Sequence, residues 1–362
     1  MYRFFYTSIL PEHLIKKNGL SVAACNFSFN LMSGGAFDKV YSVLWSNHNG
    51  KVEKEAFEDS RYELICSKKL RSLGRIGRLL GVIKEQWIVF RNIPEESSVW
   101  FYNLDILSVF LYIFLRLFRK SVLINIIVLD FTPTFRPISL RALYLRLINN
   151  ADGNIRLSNS DLFTCKNASI LPGVVPKGAG NEPLIFTLNN KFLLSGVLFE
   201  QISQISMVLE AFSRLPKCEL HITGKTDNET LILDYTEHFS NIIWHGNVSF
   251  QEYLDIMHSC TFQLSTRDSR FPENQCNFPS KIIETLLHNR VIISTICYPQ
   301  LDGINYYQVS SQLDTFVMQI ENISKQEKQK LLIYANQGQK VAEFYSTNVW
   351  NNTMEKIEVQ KI

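Results

Sequence analysis

Short apolar runs punctuate the whole chain, and most of them do not alternate as a strand with one wet face must. They fall at 2–10, 21–29, 62–66, 99–102, 122–129, 155–157, 192–196, 219–223, 242–244, 261–264, 291–294 and 307–309. A strand that is apolar at nearly every position is covered on both faces, which is the environment inside a parallel sheet. Parallel neighbours need a long crossover, and helical patterning lies between most of the runs. The chain is therefore expected to be α/β, assembled from βαβ units. No internal repeat or low-complexity segment interrupts this order.

The 362 residues suit about two domains at roughly 150 residues each. The apolar pattern breaks at 172–183, where Pro, Gly, Lys and Asn take over, and this is the expected linker. Domains are placed at 1–178 and 184–345, with 346–362 as a final helix. Charge divides at the same place. Residues 1–178 hold 23 Lys+Arg against 14 Asp+Glu, a net of +9, and the remainder holds 14 against 20, a net of −6. The basic half suits an anionic surface or a phosphate-bearing acceptor. Nothing in the charge pattern asks for nucleic acid. Seven cysteines, scattered and without a C-x-x-C pair, predict reduced thiols and a cytoplasmic setting. No basic-then-apolar leader opens the chain, so secretion is not expected.

The chemistry concentrates in Phe271-Pro-Glu-Asn-Gln-Cys-Asn-Phe-Pro-Ser-Lys-Ile-Ile-Glu284, followed by Thr-Leu-Leu-His-Asn-Arg-Val-Ile-Ile-Ser-Thr295. This reads as loop, helix start, helix, turn and buried strand. Pro279 suits a first helical position. Ser280 and Lys281 then lie in the first turn, where unpaired amides and the positive dipole end favour an anion. Glu284 follows one turn later, within reach of a sugar hydroxyl. A surface helix with a solvated lysine explains the same residues equally well.

The surroundings resemble the GT-B glycosyltransferases, in particular family-4-like members. Pro279-Ser-Lys-Ile-Ile-Glu-Thr-Leu-Leu287 with Val291-Ile-Ile-Ser-Thr295 is similar to their donor-site helix and following strand. Lys191-Phe-Leu-Leu-Ser-Gly-Val-Leu198 with Met207-Val-Leu-Glu-Ala-Phe-Ser-Arg-Leu215 resembles the opening of their C-terminal domain. Glu219-Leu-His-Ile-Thr-Gly224, Asn241–Val248, Glu252–Cys260 and 261–265 continue in the expected order. Residues 122–133, 151–158 and 170–175 match the first domain more loosely.

The resemblance implies two facing Rossmann-like domains with parallel sheets and a C-terminal helix crossing back. It implies an enzyme that moves a hexose-type sugar from a nucleotide diphosphate, with UDP favoured, to a surface-glycan or lipid-linked saccharide. Capsule or O-antigen synthesis is the setting it suggests. No cofactor is expected beyond the nucleotide-sugar co-substrate. No Asp-x-Asp occurs, which fits a reaction without metal. Donor-binding residues carried over are Gly224, Lys225, Arg267, Asn277, Ser280, Lys281 and Glu284. In the first domain Gly34 and Gly35, before an expected helix at 37–45, are read as a loop facing the diphosphate. Asp130, at the end of the run 122–129, is the candidate acceptor-side base or orienter. His221 and His245 lie within strand patterns and are read as packing residues.

Two departures stand out. The family's Glu-x7-Glu pattern puts an acid eight residues before Glu284, and Cys276 occupies that position. Its Arg and Lys after the first strand of the second domain are absent from 195–203, with Arg267 and Arg270 as candidate substitutes. These gaps keep open a catalytically silent subunit that assists a partner transferase, and, third, a nucleotide-sugar 2-epimerase. Residues 104–118 are very apolar but shorter than the roughly 20 residues needed to span a bilayer, so a buried helix is expected. Residues 68–91 carry seven cations against Glu85, with Leu73, Ile76, Leu80 and Ile83 at helical spacing. Such a basic amphipathic segment can lie on anionic lipid at the inner face of the cell membrane.

Overall fold

Two all-parallel sheets carry the fold, one in each of two units. The computed structural model describes residues 1–10, 22–45, 59–133, 136–180 and 188–360. The chain divides into Met1–Lys177 with Tyr345–Ile362, here unit 1, and Gly178–Phe344, here unit 2. Unit 1 begins with β1 (Arg3–Thr7), α1 (Val22–Ser33), β2 (Lys39–Ser42) and β3 (Tyr62–Leu64). It continues through α2 (Lys68–Arg71), α3 (Gly74–Asn92), β4 (Ser98–Tyr102), α4 (Val109–Phe118), β5 (Leu123–Val128), α5 (Leu140–Asn149), β6 (Gly153–Arg156) and β7 (Ala168–Ile170). Unit 2 opens with β8 (Lys191–Val197), α6 (Glu200–Ser203), α7 (Ile205–Ser213), β9 (Glu219–Lys225), α8 (Glu229–His238), β10 (Ile242–Trp244) and α9 (Phe250–Ser259). It closes with β11 (Phe262–Ser265), α10 (Pro272–Cys276), α11 (Lys281–Leu287), β12 (Val291–Ser294), β13 (Tyr307–Gln308), α12 (Leu313–Ser324), α13 (Lys328–Ala335) and α14 (Gly338–Phe344). The last helix, α15 (Thr347–Val359), returns to unit 1.

Strand order is β3-β2-β1-β4-β5-β6-β7 in unit 1 and β10-β9-β8-β11-β12-β13 in unit 2. Each sheet winds outward in both directions from a central pair. The order therefore reverses between β1 and β4, and between β8 and β11. In open α/β sheets a ligand binds beyond the strand C-termini at such a reversal. The unit 2 core is aromatic at that reversal. Phe192 of β8 stacks on Phe262 of β11 at 4.5 Å between ring centroids and meets Phe212 of α7 edge-on. All three rings are buried.

Terminal helix α15 is anchored by polar contacts from several elements of unit 1. Glu358 accepts two bonds from Arg3, at 2.9 and 2.6 Å, and one from Trp100 Nε1 at 2.8 Å. Burial would push that carboxyl up, but bonds from Arg3, Ser98 and Trp100 hold it below the usual carboxylate range. Trp350 Nε1 donates to Gly173 O at 2.8 Å.

Three local expectations need correction. Residues 21–29 were expected to extend, yet the chain is helical over Val22–Ser33. Cys25, Ser28, Leu31 and Met32 are buried at three- and four-residue intervals, so one helical face carries the packing. Residues 37–45 were expected to be helical, but β2 pairs with β1 on one side and β3 on the other. Buried Val40, Tyr41, Val43 and Leu44 suit a strand covered on both faces. The helical pattern over 326–343 predicts one helix, but the chain forms two, α13 and α14, broken at Asn336-Gln337. There the Gln337 side chain bonds the backbone of Asn305 and Tyr334. Among the described residues, no helix is long and apolar enough to cross a membrane.

Candidate functional site

Strands β8 and β9 lie side by side, and each carries glycine at its last position but one. Gly196 and Gly224 are register partners and both have positive φ, +114° and +138°. A Cβ at Gly224 would collide with the backbone of Gly196, so the two strand ends approach as only glycines can. The result is a shelf of two glycines, without side chains of their own, at the C-terminal edge of the unit 2 sheet, on the β8 side of its reversal.

Lys281 lies over this shelf. Its Cε and Nζ would stand 3.5 and 3.6 Å from a Cβ at Gly196. The ammonium also sits 4.3 Å from the centroid of the Tyr253 ring, a cation–π contact. Tyr253 is held by α9, whose start is fixed by a reciprocal capping box between Ser249 and Glu252. The Tyr253 hydroxyl is 3.4 Å from Glu284 Oε2, to which it donates. It also bonds Ser195, and Ser195 Oγ accepts from Gln263 Nε2 at 3.3 Å. Side chains from β8, β11, α9 and α11 thus form one chain of contacts ending on Lys281 and Glu284. Gln263 Oε1 is buried in it without a hydrogen-bond partner.

This environment shifts its titrating groups. Burial lowers the Lys281 ammonium to about 8, with the Glu284 charge opposing. Burial raises Glu284, with Lys281 and the Tyr253 hydroxyl opposing. Burial and the neighbouring Glu284 charge push the Tyr253 hydroxyl up. A lysine and a glutamate kept partly dry beside a bare shelf are set to meet a ligand that carries charge and hydroxyls.

Helix α11 itself starts at Lys281, with Ser280 at its N-cap in helical conformation and Pro279 one residue earlier. Pro279 O accepts from Ile282 N at 3.0 Å, so the first turn is already wound there. The amides of Ser280 and Lys281 precede the first intrahelical bond. Ser280 is exposed and its side chain caps nothing.

The remaining predicted residues are spread around this corner. Lys225 ends β9 and is exposed. Arg267 follows β11 and donates to Asn274 Oδ1 at 3.3 Å, while Arg270 is engaged by Asp268 at 2.6 Å. Asn274 ties the same loop to Gln201 O after β8. Asn277 caps the C-terminus of α10. Cys276, in place of the family's first acid, is buried at the end of α10. His221 and His245 stack and share a 2.9 Å bond, with His221 also bonded to Glu219.

Gly34 and Gly35 belong to unit 1 and stand elsewhere than a loop leading into a helix. They follow α1 and precede β2, at the N-terminal edge of the sheet rather than the edge where α/β ligands collect. Gly34 is pressed against Thr347 at the start of α15, and its carbonyl accepts from Asn351 Nδ2 at 3.1 Å. Asp130 is exposed just past β5. Sequence reasoning missed Gly196, Tyr253 and Gln263. Only the glycine ending a buried strand could have flagged the first of them.

No family model matches the chain, and no curated protein sequence matches it significantly. Solved structures do. The N-terminal domain of trehalose-6-phosphate phosphatase from Candida albicans superposes with a TM-score of 0.71 at 11% identity, covering 100% of this chain and 97% of that one. HepE of Anabaena, solved with UDP and glucose, gives 0.67 at 12%, covering 98% and 99%. A UDP-forming α,α-trehalose-phosphate synthase from Burkholderia vietnamiensis gives 0.69 at 10%, covering 99% and 100%. At such identities the likeness concerns architecture: the chain has the GT-B fold.

Proposed function

We propose that this protein is a glycosyltransferase that moves a hexose-type sugar from a nucleotide diphosphate, UDP favoured, to a saccharide acceptor. The observation that carries the reading is Lys281 poised over the Gly196–Gly224 shelf, with Glu284 one turn behind it. A leaving diphosphate needs charge neutralisation from groups already in place. Lys281 would supply a cation, and the amides of Ser280 and Lys281 would supply donors. The bare shelf lets phosphate oxygens approach the backbone. Glu284, oriented by Tyr253, would accept from ribose hydroxyls. Gly224 and Lys225 would border the nucleoside, and Arg267 and Asn277 would line the same corner. That HepE was solved with UDP and glucose supports the choice of nucleotide.

We assign the acceptor to unit 1, where Asp130 stands just beyond β5 as an orienter or base for its hydroxyl. The acceptor is a surface-glycan or lipid-linked saccharide, of the kind used in capsule or O-antigen synthesis. The reaction needs no metal in this reading, because Lys281 and the amides meet the diphosphate charge. Activity should then survive chelation by EDTA.

The catalytically silent reading keeps one observation in its favour: the position of the missing acid is filled by a buried thiol. Calorimetric titration with UDP, GDP and UDP-glucose, followed by assay of UDP release, separates the two. Binding that weakens in Lys281→Ala, together with turnover, supports the enzyme. Binding without turnover supports the silent subunit. If no nucleotide binds, the donor site itself is wrong.

A further inference from the structure

We infer that α3 and the end of α4 form a docking surface for an anionic lipid bilayer. A surface helix normally turns its apolar stripe inward and its charges outward. Helix α3 does bury Val82, Val89 and Phe90, yet a second apolar line runs along its outer face. Ile76 is 76% exposed and Leu80 50%, and Ile83 and Trp87 continue the line at three- and four-residue steps. Trp87 meets Phe114 of α4 edge-on at 5.2 Å, and Phe90 lies against Phe118. Leu117 and Phe118, both about three-fifths exposed, thereby extend the apolar surface onto α4.

The rim is cationic. Lys68, Lys69, Arg75, Lys84, Arg91 and Lys120 are all exposed. Between residues 67 and 93 the single acid is Glu85. Its side chain is wholly buried, bonded to Arg71 Nε at 2.7 Å and to Ser67 N. The one carboxylate of this segment is thus taken inside. The nearest acid beyond, Glu95, is engaged by Arg119 at 3.1 Å. A second copy docking by this face would bring like charges together. An interface of anionic headgroups over acyl chains instead satisfies both the cations and the apolar line. The inference needs nothing from the donor site, so either can fail alone.

The test is sedimentation of the full chain with vesicles of phosphatidylcholine, or of an equal mixture with phosphatidylglycerol, at low and high salt. The chain should pellet with the anionic vesicles and stay with buffer otherwise. Lys69→Gln with Lys84→Gln should lower partition about 30-fold at low salt. Ile76→Ser with Leu80→Ser should lower it at least about tenfold. Both residues are water-exposed, so thermal unfolding of that variant should be unchanged, which separates docking from folding. The inference is overturned if the wild type stays with buffer at low salt, if neutral vesicles bind it equally, or if the serine variant partitions like the wild type.

Discussion

Two pairs of glycines, Gly34 with Gly35 and Gly196 with Gly224, have neighbours that give them opposite uses. Gly34 is pressed against Thr347, so its missing side chain makes room for the protein's own helix α15. Gly196 and Gly224 press against each other near the end of their strands, and what lies nearest above Gly196 is the flexible end of Lys281. The first cluster is filled space at the N-terminal edge of a sheet. The second lies at the C-terminal edge of a sheet, under a charged side chain rather than a packed helix. A close backbone approach becomes a candidate ligand site where what lies over it is the movable end of a charged side chain rather than packed structure.

The contrast breaks most directly at Lys281. Lys281→Ala should cut sugar transfer about 10²–10³-fold, the usual cost of removing one preorganised donor to developing charge. Thermal unfolding at pH 7 should not fall, because burying the ammonium costs stability there. If turnover survives within a factor of about three, the shelf is not a diphosphate site.

The glycines themselves sharpen the comparison. Gly224→Ala forces a Cβ into Gly196 and a strained φ, and should cost about 1–3 kcal/mol or more while removing UDP binding. Gly34→Ala meets Thr347 Cβ, a packed atom close to the backbone, and should cost about 1–3 kcal/mol by overpacking. It should leave UDP affinity unchanged, since that site lies wholly in unit 2. Melting curves with and without UDP read both effects. Loss of UDP binding in both variants would erase the distinction.

Glu284→Gln keeps the shape and removes the charge. A hydrogen bond to a charged group contributes about 1.5–3 kcal/mol, so the Kd for UDP should rise at least about tenfold. The Kd for inorganic pyrophosphate, which has no ribose, should not rise. Equal weakening of both would move Glu284 from the ribose to general electrostatics.

Much of this was legible from residue order. Continuous apolar runs identify most strands of both parallel sheets, because burial on both faces leaves no alternation to confuse them. The errors at 21–29 and 37–45 each have a local cause. Helix α1 buries Ser28 within its packed face, which blurs the helical period, and β2 has only four residues, too few to display a strand period. Within the donor corner, Ser280, Lys281 and Glu284 could be proposed because they are local to one helix start. Tyr253 and Gln263 could not. They reach Lys281 only through strand order β10-β9-β8-β11, which brings α9, β8 and β11 beside one another. Gly34 and Gly35 misled for the converse reason. Paired glycines before an apolar run fit a phosphate loop, but the run is a strand, and what approaches is a helix more than 300 residues later.

The smallest expected effect is also the most specific to the open corner. Burial lowers the Lys281 ammonium to about 8 in the free protein, and a bound diphosphate would raise it again. Donor affinity should therefore be full well below pH 8 and fall as pH rises through that value. UDP-glucose is the right probe, since neither of its phosphates ionises in that range. Between pH 7 and 8 the affinity should drop about twofold, and above 8 by up to about tenfold per pH unit. Folding must move the other way. The unfolded chain keeps lysine near 10.4 and so binds more protons between about 8 and that value, which makes stability rise with pH across the window. Lys281→Met should flatten both slopes together. A binding slope that persists in the methionine variant would assign the titration to another group and leave the ammonium over the glycine shelf without its role.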